Sequence, residues 1–217
     1  MEQNISEREQ LEEIKKWWNA NGKSILLGLS IGLAALFGYR YWQDTRNANA
    51  ESASLNYDHF LELASKGPNA DATKAGATML EAYPNSDYAQ LTALLLARLA
   101  VEEHKLDVAK KNLQWVVEHG QGKALANVAH ARLAQLLLAE GDAKSALAEL
   151  DKTSKAGSDE RYTELRADIL AALGKATEAS RLYSKAVEAL TANGGDPAAL
   201  ELKRDALGVS DESTVAK

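Results

Sequence analysis

Residues 129–150 read Ala-His-Ala-Arg-Leu-Ala-Gln-Leu-Leu-Leu-Ala-Glu-Gly-Asp-Ala-Lys-Ser-Ala-Leu-Ala-Glu-Leu. His130-x2-Leu133-Ala134-x2-Leu137 sets large and small side chains on one face at helical spacing. Gly141-Asp142 is a turn signal. Ala146-x3-Leu150 then begins a second helix: the small residue lets paired helices approach, and the large one fills the gap above it. The stretch is a helical hairpin.

The hairpin recurs along the chain. Ala75-x3-Met79-x2-Ala82, Ala109-x3-Leu113-x2-Val116, Ala146-x3-Leu150-x2-Thr153 and Ala179-x3-Tyr183-x2-Ala186 start 34, 37 and 33 residues apart. A tetratricopeptide (TPR) repeat has a period of about 34 residues with this pattern in its second helix. The first helices agree in the middle of the array, and Ala93-x2-Leu96-Ala97-x2-Ala100 matches more loosely. In the fourth unit Arg166 stands where Leu is usual, while Ala167 and Leu170 fit and Gly174-Lys175 supplies the turn. The pair around Asn47–Ser65 and Ala70–Tyr83 is the weakest, as terminal repeats that cap a stack often are. An Ala-rich helical bundle is the alternative, because heptads imitate the same pattern. Eight helices are expected from about Asn47 to Ala192. Asn193-Gly194-Gly195-Asp196-Pro197 breaks the chain, with Asp196 as cap and Pro197 opening a last helix to about Leu207.

Before the repeats lies a different kind of sequence. Ser24 to Tyr39 is an uncharged apolar run of 16 residues, the one long run of its kind. At about 1.5 Å per residue it covers roughly 24 Å, against a bilayer core of about 30 Å. Lys23 and Arg40 extend it by snorkelling, and Trp17, Trp18, Tyr41 and Trp42 set interface-seeking aromatics at both rims. Arg8, Lys15, Lys16 and Lys23 precede the run, and only Arg40 and Arg46 follow it closely, which puts the N-terminus in the cytoplasm. Ala48-Asn49-Ala50 resembles a cleavage site, so a cleaved signal peptide is the rival reading. The long acidic leader (Glu2, Glu7, Glu9, Glu12 and Glu13) and the charges at Arg40, Asp44 and Arg46 favour an uncleaved anchor instead. A buried core helix is the third reading. Gly28-x-x-x-Gly32 is a spacing that lets membrane helices approach, and it is also common in apolar helices.

The predicted fold class is therefore all-α: a single N-terminal transmembrane helix followed by a TPR-like α-solenoid of helical hairpins. Residues 1–22 form a cytoplasmic segment, residues 23–42 the transmembrane helix, residues 43–207 a TPR-like domain and residues 208–217 a disordered polar tail. Within the leader, Glu7–Asn21 is an amphipathic helix with Leu11, Ile14, Trp17 and Trp18 on one side, either a partner site or interfacial packing, and Gly22 loosens its junction with the span.

Composition narrows the function. The residues after Arg46 carry 19 Lys/Arg against 25 Asp/Glu and so hold the whole net charge of −6, which gives no basic patch for nucleic acid. The absence of cysteine removes disulfides, thiolate nucleophiles and Cys-based zinc sites. His59, His104, His119 and His130 include no pair at metal-binding helical spacing. Gly120-Gln121-Gly122-Lys123 lacks the earlier glycine (Val117) and the following Ser/Thr (Ala124) of a phosphate loop. No catalytic, cofactor or metal constellation results, and binding is the expected activity. By repeat position Leu91, Leu94, Arg98, Val128, Ala131, Gln135, Glu164 and Asp168 are candidates for the concave protein-binding groove, although several fit a core role equally. Leu94, Ala131 and Glu164 stand where a carboxylate-clamp lysine would be, so the groove suits unfolded or helical segments rather than a chain terminus.

Glu13-Ile14-Lys15-Lys16-Trp17-Trp18, Asn21-Gly22-Lys23, the apolar run and Tyr39-Arg40-Tyr41-Trp42 together resemble the start of YfgM-type proteins of Gram-negative bacteria. Ser52-Ala53-Ser54-Leu55-x-Tyr57 and the weak repeats fit as well, so the resemblance covers nearly the whole chain up to about Leu207. It implies an inner-membrane protein with a periplasmic TPR domain. Its implied partners are the Sec translocon, a membrane-anchored periplasmic chaperone of the PpiD type and emerging unfolded secretory proteins, with no cofactor and no catalytic residue to carry over. An envelope scaffold and a stress-signalling regulator acting through residues 1–23 are the other readings.

Overall fold

The computed structural model describes residues 3–120, 122–153 and 160–209. Among them the elements are helices with no strand: α1 (Gln3–Ala64), α2 (Ala70–Ala82), α3 (Asp87–Glu102), α4 (Leu106–His119), α5 (Lys123–Ala139), α6 (Ala143–Leu150), α7 (Glu160–Ala172), α8 (Ala176–Ala192) and α9 (Ala198–Asp205). The chain divides into two compact units, Met1–Ser52 and Ala53–Lys217.

In the second unit each helix from α2 to α8 packs on the next along the chain, and α5 also touches α7. Contact between the first helices of neighbouring hairpins is what hairpins stacked in a row produce. Arg132 of α5 adds a second such link, donating from Nη1 to the Leu94 carbonyl of α3 at 3.4 Å. The small residues sit where helices cross: Ala109, Ala134, Ala146, Ala167 and Ala179 have no exposed surface. Leu113, Leu150 and Tyr183, the large members of the repeat strings, are buried beside them. The core is accordingly a series of small clusters rather than one mass. Phe60, Ala72, Leu96 and Leu99 form the first; Ala97, Leu113, Val116 and Leu133 belong to the next; Ala146, Leu150 and Ile169 to another; Leu170, Tyr183 and Leu200 to the last.

The turns explain why the hairpins close. A helix that ends on a left-handed residue satisfies its last carbonyls through one bond spanning five residues and one spanning three. After α3, Lys105 N–H donates to Ala100 O at 2.8 Å and His104 N–H to Val101 O at 2.9 Å. Asp142 and Gly141 repeat the pair onto Leu137 and Leu138, and Lys175 and Gly174 onto Leu170 and Ala171. The left-handed residue has φ 87° at Gly141 and 76° at Gly174, but in the α3–α4 turn it is His104, at φ 58°. A side chain there costs about 1–2 kcal/mol that glycine avoids. Part of that gain is offset by the greater freedom of glycine in the unfolded chain, so His104→Gly is expected to stabilise the protein by about 0.5–1 kcal/mol. Urea unfolding of the full chain in detergent measures it, and a neutral or destabilising result would refute the strain. Asn69 fixes the entry to α2: its Oδ1 accepts from Ala72 N–H at 2.7 Å, and its Nδ2 donates to the carbonyls of Leu63 and Gly67 at 2.9 and 2.8 Å.

Several sequence expectations need correction. In α2 the buried stripe is Ala72, Gly76 and Met79; Ala75 is only half-buried and Ala82 is exposed. The cause is Leu96 of α3, whose methyls lie 2.8 Å from where a Cβ on Gly76 would stand, so the close approach is at Gly76. Arg166 is accommodated in the fourth unit by turning outward to Asp151, 2.7 Å away. Pro197 stands at the cap of α9 rather than in its first turn, and the Asp196 carboxylate accepts from Ala198 N–H at 3.0 Å. Helix α9 ends at Asp205, and Gly208 still belongs to the folded chain, donating to Asp205 O at 3.1 Å. The remainder of the expected tail, 210–217, lies outside the described residues. Gly22 does not loosen a junction: it lies inside α1, and the Trp18 ring covers it, 3.1 Å from the position of a Cβ.

Candidate membrane and partner surfaces

In the first unit the apolar run is bare. Every large apolar side chain from Ile25 to Phe37 is between 40% and 66% exposed. A core helix would bury such side chains, each worth about 1.5–3 kcal/mol of transfer free energy. The buried-helix reading is therefore set aside. Among the described residues this helix is the one apolar and long enough to cross a membrane. Within the run Ser30 Oγ donates to Leu26 O at 2.8 Å, and at its flanks Thr45 Oγ1 donates to Tyr41 O at 2.8 Å and Asn21 Nδ2 to Trp17 O at 3.1 Å. Such bonds back to the preceding turn are what an apolar solvent demands. Trp17, Trp18, Tyr41 and Trp42 are exposed at the rims, as are Lys23 and Arg40. Trp42 packs 6.0 Å from Tyr39, centroid to centroid, and carries the Arg46 guanidinium 5.5 Å over its ring, an arrangement suited to a headgroup layer.

In the second unit the expected groove residues separate into three groups. Leu91, Arg98 and Gln135 face solvent, with Arg98 paired to Glu102 at 2.9 Å. Leu94 is buried among Ala93, Ala97 and Leu133, while Val128 and Ala131 are half-buried against the clusters beneath them. Of these three only Leu94 is fully enclosed in the core. Glu164 and Asp168 of α7 are half-buried and engaged. Lys203 of α9 donates to Glu164 at 2.8 Å and to Asp168 at 2.9 Å, and Tyr183 Oη donates to Asp168 at 2.5 Å. Burial, then the Asp168 hydrogen bond, pushes the Tyr183 phenol well above its usual value. Burial disfavours the Lys203 ammonium, but its bonds to Glu164 and Asp168 together outweigh that and raise its pKa. Lys203 of α9 thus bridges the two acids of the expected groove and offsets one of their two charges, a contact that sequence reasoning missed.

A second polar junction ties α5 to α6. His130 Nδ1 lies 2.6 Å from Glu149 Oε1, and Lys152 Nζ donates to Glu149 Oε2 at 2.6 Å. Burial works to raise the Glu149 pKa, but the hydrogen bonds from Lys152 and His130 prevail and lower it below 4.5. A carboxylate lowered on folding adds stability that is complete above its unfolded pKa and is lost as pH falls through the folded value. The melting temperature should therefore drop as pH falls below about 4.5, and Glu149→Gln should flatten that acid limb; an unchanged slope would exclude the junction as its source.

No group of three or more His, Cys, Asp or Glu side chains able to hold a metal forms among the described residues. Gly120 closes α4 by donating to Val116 O at 2.9 Å and Gly122 precedes α5, so the Gly-x-Gly-Lys string is a connection between helices; its Gln121 lies outside the described residues.

Stacked helical hairpins in one unit and an uncovered apolar helix in the other define the class: a TPR-like protein with a helix of membrane-spanning character. The family described as tetratricopeptide repeat-like domain matches residues 15–209, a range that includes the apolar run. An ancillary SecYEG translocon subunit of Escherichia coli (strain K12) is 31% identical over 169 residues, covering 78% of this chain and 81% of the relative. Ancillary SecYEG translocon subunits of Haemophilus influenzae and Neisseria gonorrhoeae are 27% and 26% identical, covering 86% and 95% of this chain and 91% and 100% of theirs. The chain belongs to this family of ancillary SecYEG translocon subunits, as the aromatic-rimmed span and weak repeats implied. No solved structure matches it.

Proposed function

We propose that this protein is a membrane-anchored TPR-like adaptor at the Sec translocon, with its N-terminus in the cytoplasm and its helical domain in the periplasm. There it engages a membrane-anchored periplasmic chaperone and emerging secretory chains and aids their transfer and folding. The observation that carries the reading is the bare apolar helix joined, in one chain, to a stack of binding-type hairpins. The relatives' shared name, ancillary SecYEG translocon subunit, supplies the machine. The Lys/Arg excess before the span supports the orientation. Tethering raises the effective concentration of the domain near membrane partners without any new contact.

Photo-crosslinking from exposed positions of the full chain in native membranes tests the reading. Probes at Leu91 and Gln135 should capture periplasmic chaperone or nascent chain, and probes beside the span should capture translocon subunits. Absence of translocon crosslinks from every probe would sink the proposal.

A further inference from the structure

We propose that residues 11–35 of α1 pair with the same residues of a second copy of this chain, as a parallel two-helix coil that runs from water into the membrane. The proposal rests on the membrane-anchored reading above. Its basis is the 3,4-spaced register of α1. With Leu11 at position a of a heptad, the core positions before Lys23 are Leu11, Ile14, Trp18 and Asn21. In the apolar run they become Ile25, Gly28, Gly32 and Ala35 without a change of phase. None is charged, whereas Glu12, Glu13, Lys15, Lys16 and Lys23 all fall on other positions.

Lipid does not reach the first half of this stripe. Leu11 precedes Lys23 by 12 residues, about 18 Å of helix, and a headgroup layer is only about 5–8 Å deep. Helix α1 has no break at Gly22 that would fold the leader onto the membrane, because Trp18 packs over that glycine. Leu11 and Ile14 are nonetheless 57% and 62% exposed. What covers them is another protein surface.

A partner for the whole stripe must be a helix that itself passes from water into lipid, with large apolar residues outside and, beyond Ile25, small ones inside, in one register. A second copy inserted in the same direction has that profile by identity. In a parallel pair each core position meets its own counterpart, so no charge is buried. Lys15, which flanks the core, meets Gln10 of the second copy rather than a like charge. Asn21 meets Asn21, and one buried polar pair of this kind fixes register. At Gly28 and Gly32 a Cβ would meet nothing within 4 Å, which leaves the space that a closely approaching backbone needs inside lipid.

The chain contains no cysteine, so single cysteines report without background. Full-length Leu11→Cys, Ile14→Cys and Ala35→Cys, oxidised in native membranes, should each give a disulfide-linked homodimer. Glu12→Cys, Lys16→Cys and Leu27→Cys, on the outward positions, should not. Dimers formed equally at both sets, crosslinks only to other proteins, or no crosslinks at any position would each overturn the pairing. Translocon crosslinking scored in the same membranes separates the outcomes: if it persists while the homodimer is absent, the pairing falls and the adaptor reading stands.

Discussion

Phe60→Ala is expected to destabilise the helical domain by about 3–5 kcal/mol, the range for deleting a fully enclosed aromatic ring. Phe60 has no exposed surface, and its cluster contains Ala64, Ala72, Leu96 and Leu99. Ala64 and Ala72 have only methyl groups to offer the gap, so Leu96 and Leu99 alone can relax into it and the cavity closes only in part. The end of α1 and helix α2 would lose their hold on α3. In a stack where each hairpin touches only its neighbours, the damage should stay near that end. Hydrogen exchange of the full chain in detergent should show lost protection across 53–82 and retained protection in α8. A loss of less than about 1 kcal/mol, below the usual range for such deletions, or uniform loss of protection throughout, would contradict this picture.

The same locality explains how much of the fold the sequence revealed. Ala109 is the one alanine of α4, and it lies at a crossing with no exposed surface, as do Ala146 and Ala179. Helix α2 instead offers alanines at 70, 72, 75, 77 and 82 besides Gly76, and its own pattern does not select among them. The selection is made by Leu96 from the next hairpin. The groove was harder for a related reason. Leu94 and Leu91 are both leucines on α3, and only the packing of α4 and α5 buries one and leaves the other open. The pairing of Glu164 and Asp168 is not legible locally because their partner, Lys203, lies 39 and 35 residues away, beyond any local pattern. The span, by contrast, declared itself through composition, which needs no tertiary contact to interpret.

Replacing both Leu29 and Leu33 with arginine is expected to release the protein from the membrane. Each arginine near the middle of a span costs about 2.5–3.5 kcal/mol on the scale of membrane insertion. This span has little to spare. Its 16 uncharged residues cover roughly 24 Å of a core about 30 Å thick. Lys23 and Arg40 already use their reach at the two ends, so the helix cannot slide to lift the new charges into the headgroups without pulling an existing charge inward. The second unit has its own clusters of buried residues from Phe60 to Leu200, so it should remain folded by circular dichroism. The variant should appear in the soluble fraction after alkaline extraction and lose its translocon crosslinks together with its membrane association. Leu55→Arg, at a 65% exposed position in the second unit, should change neither. If the double arginine variant stays embedded, the anchor is not this helix. If it is released but still captures the translocon, the domain's own surface carries the affinity and tethering adds little.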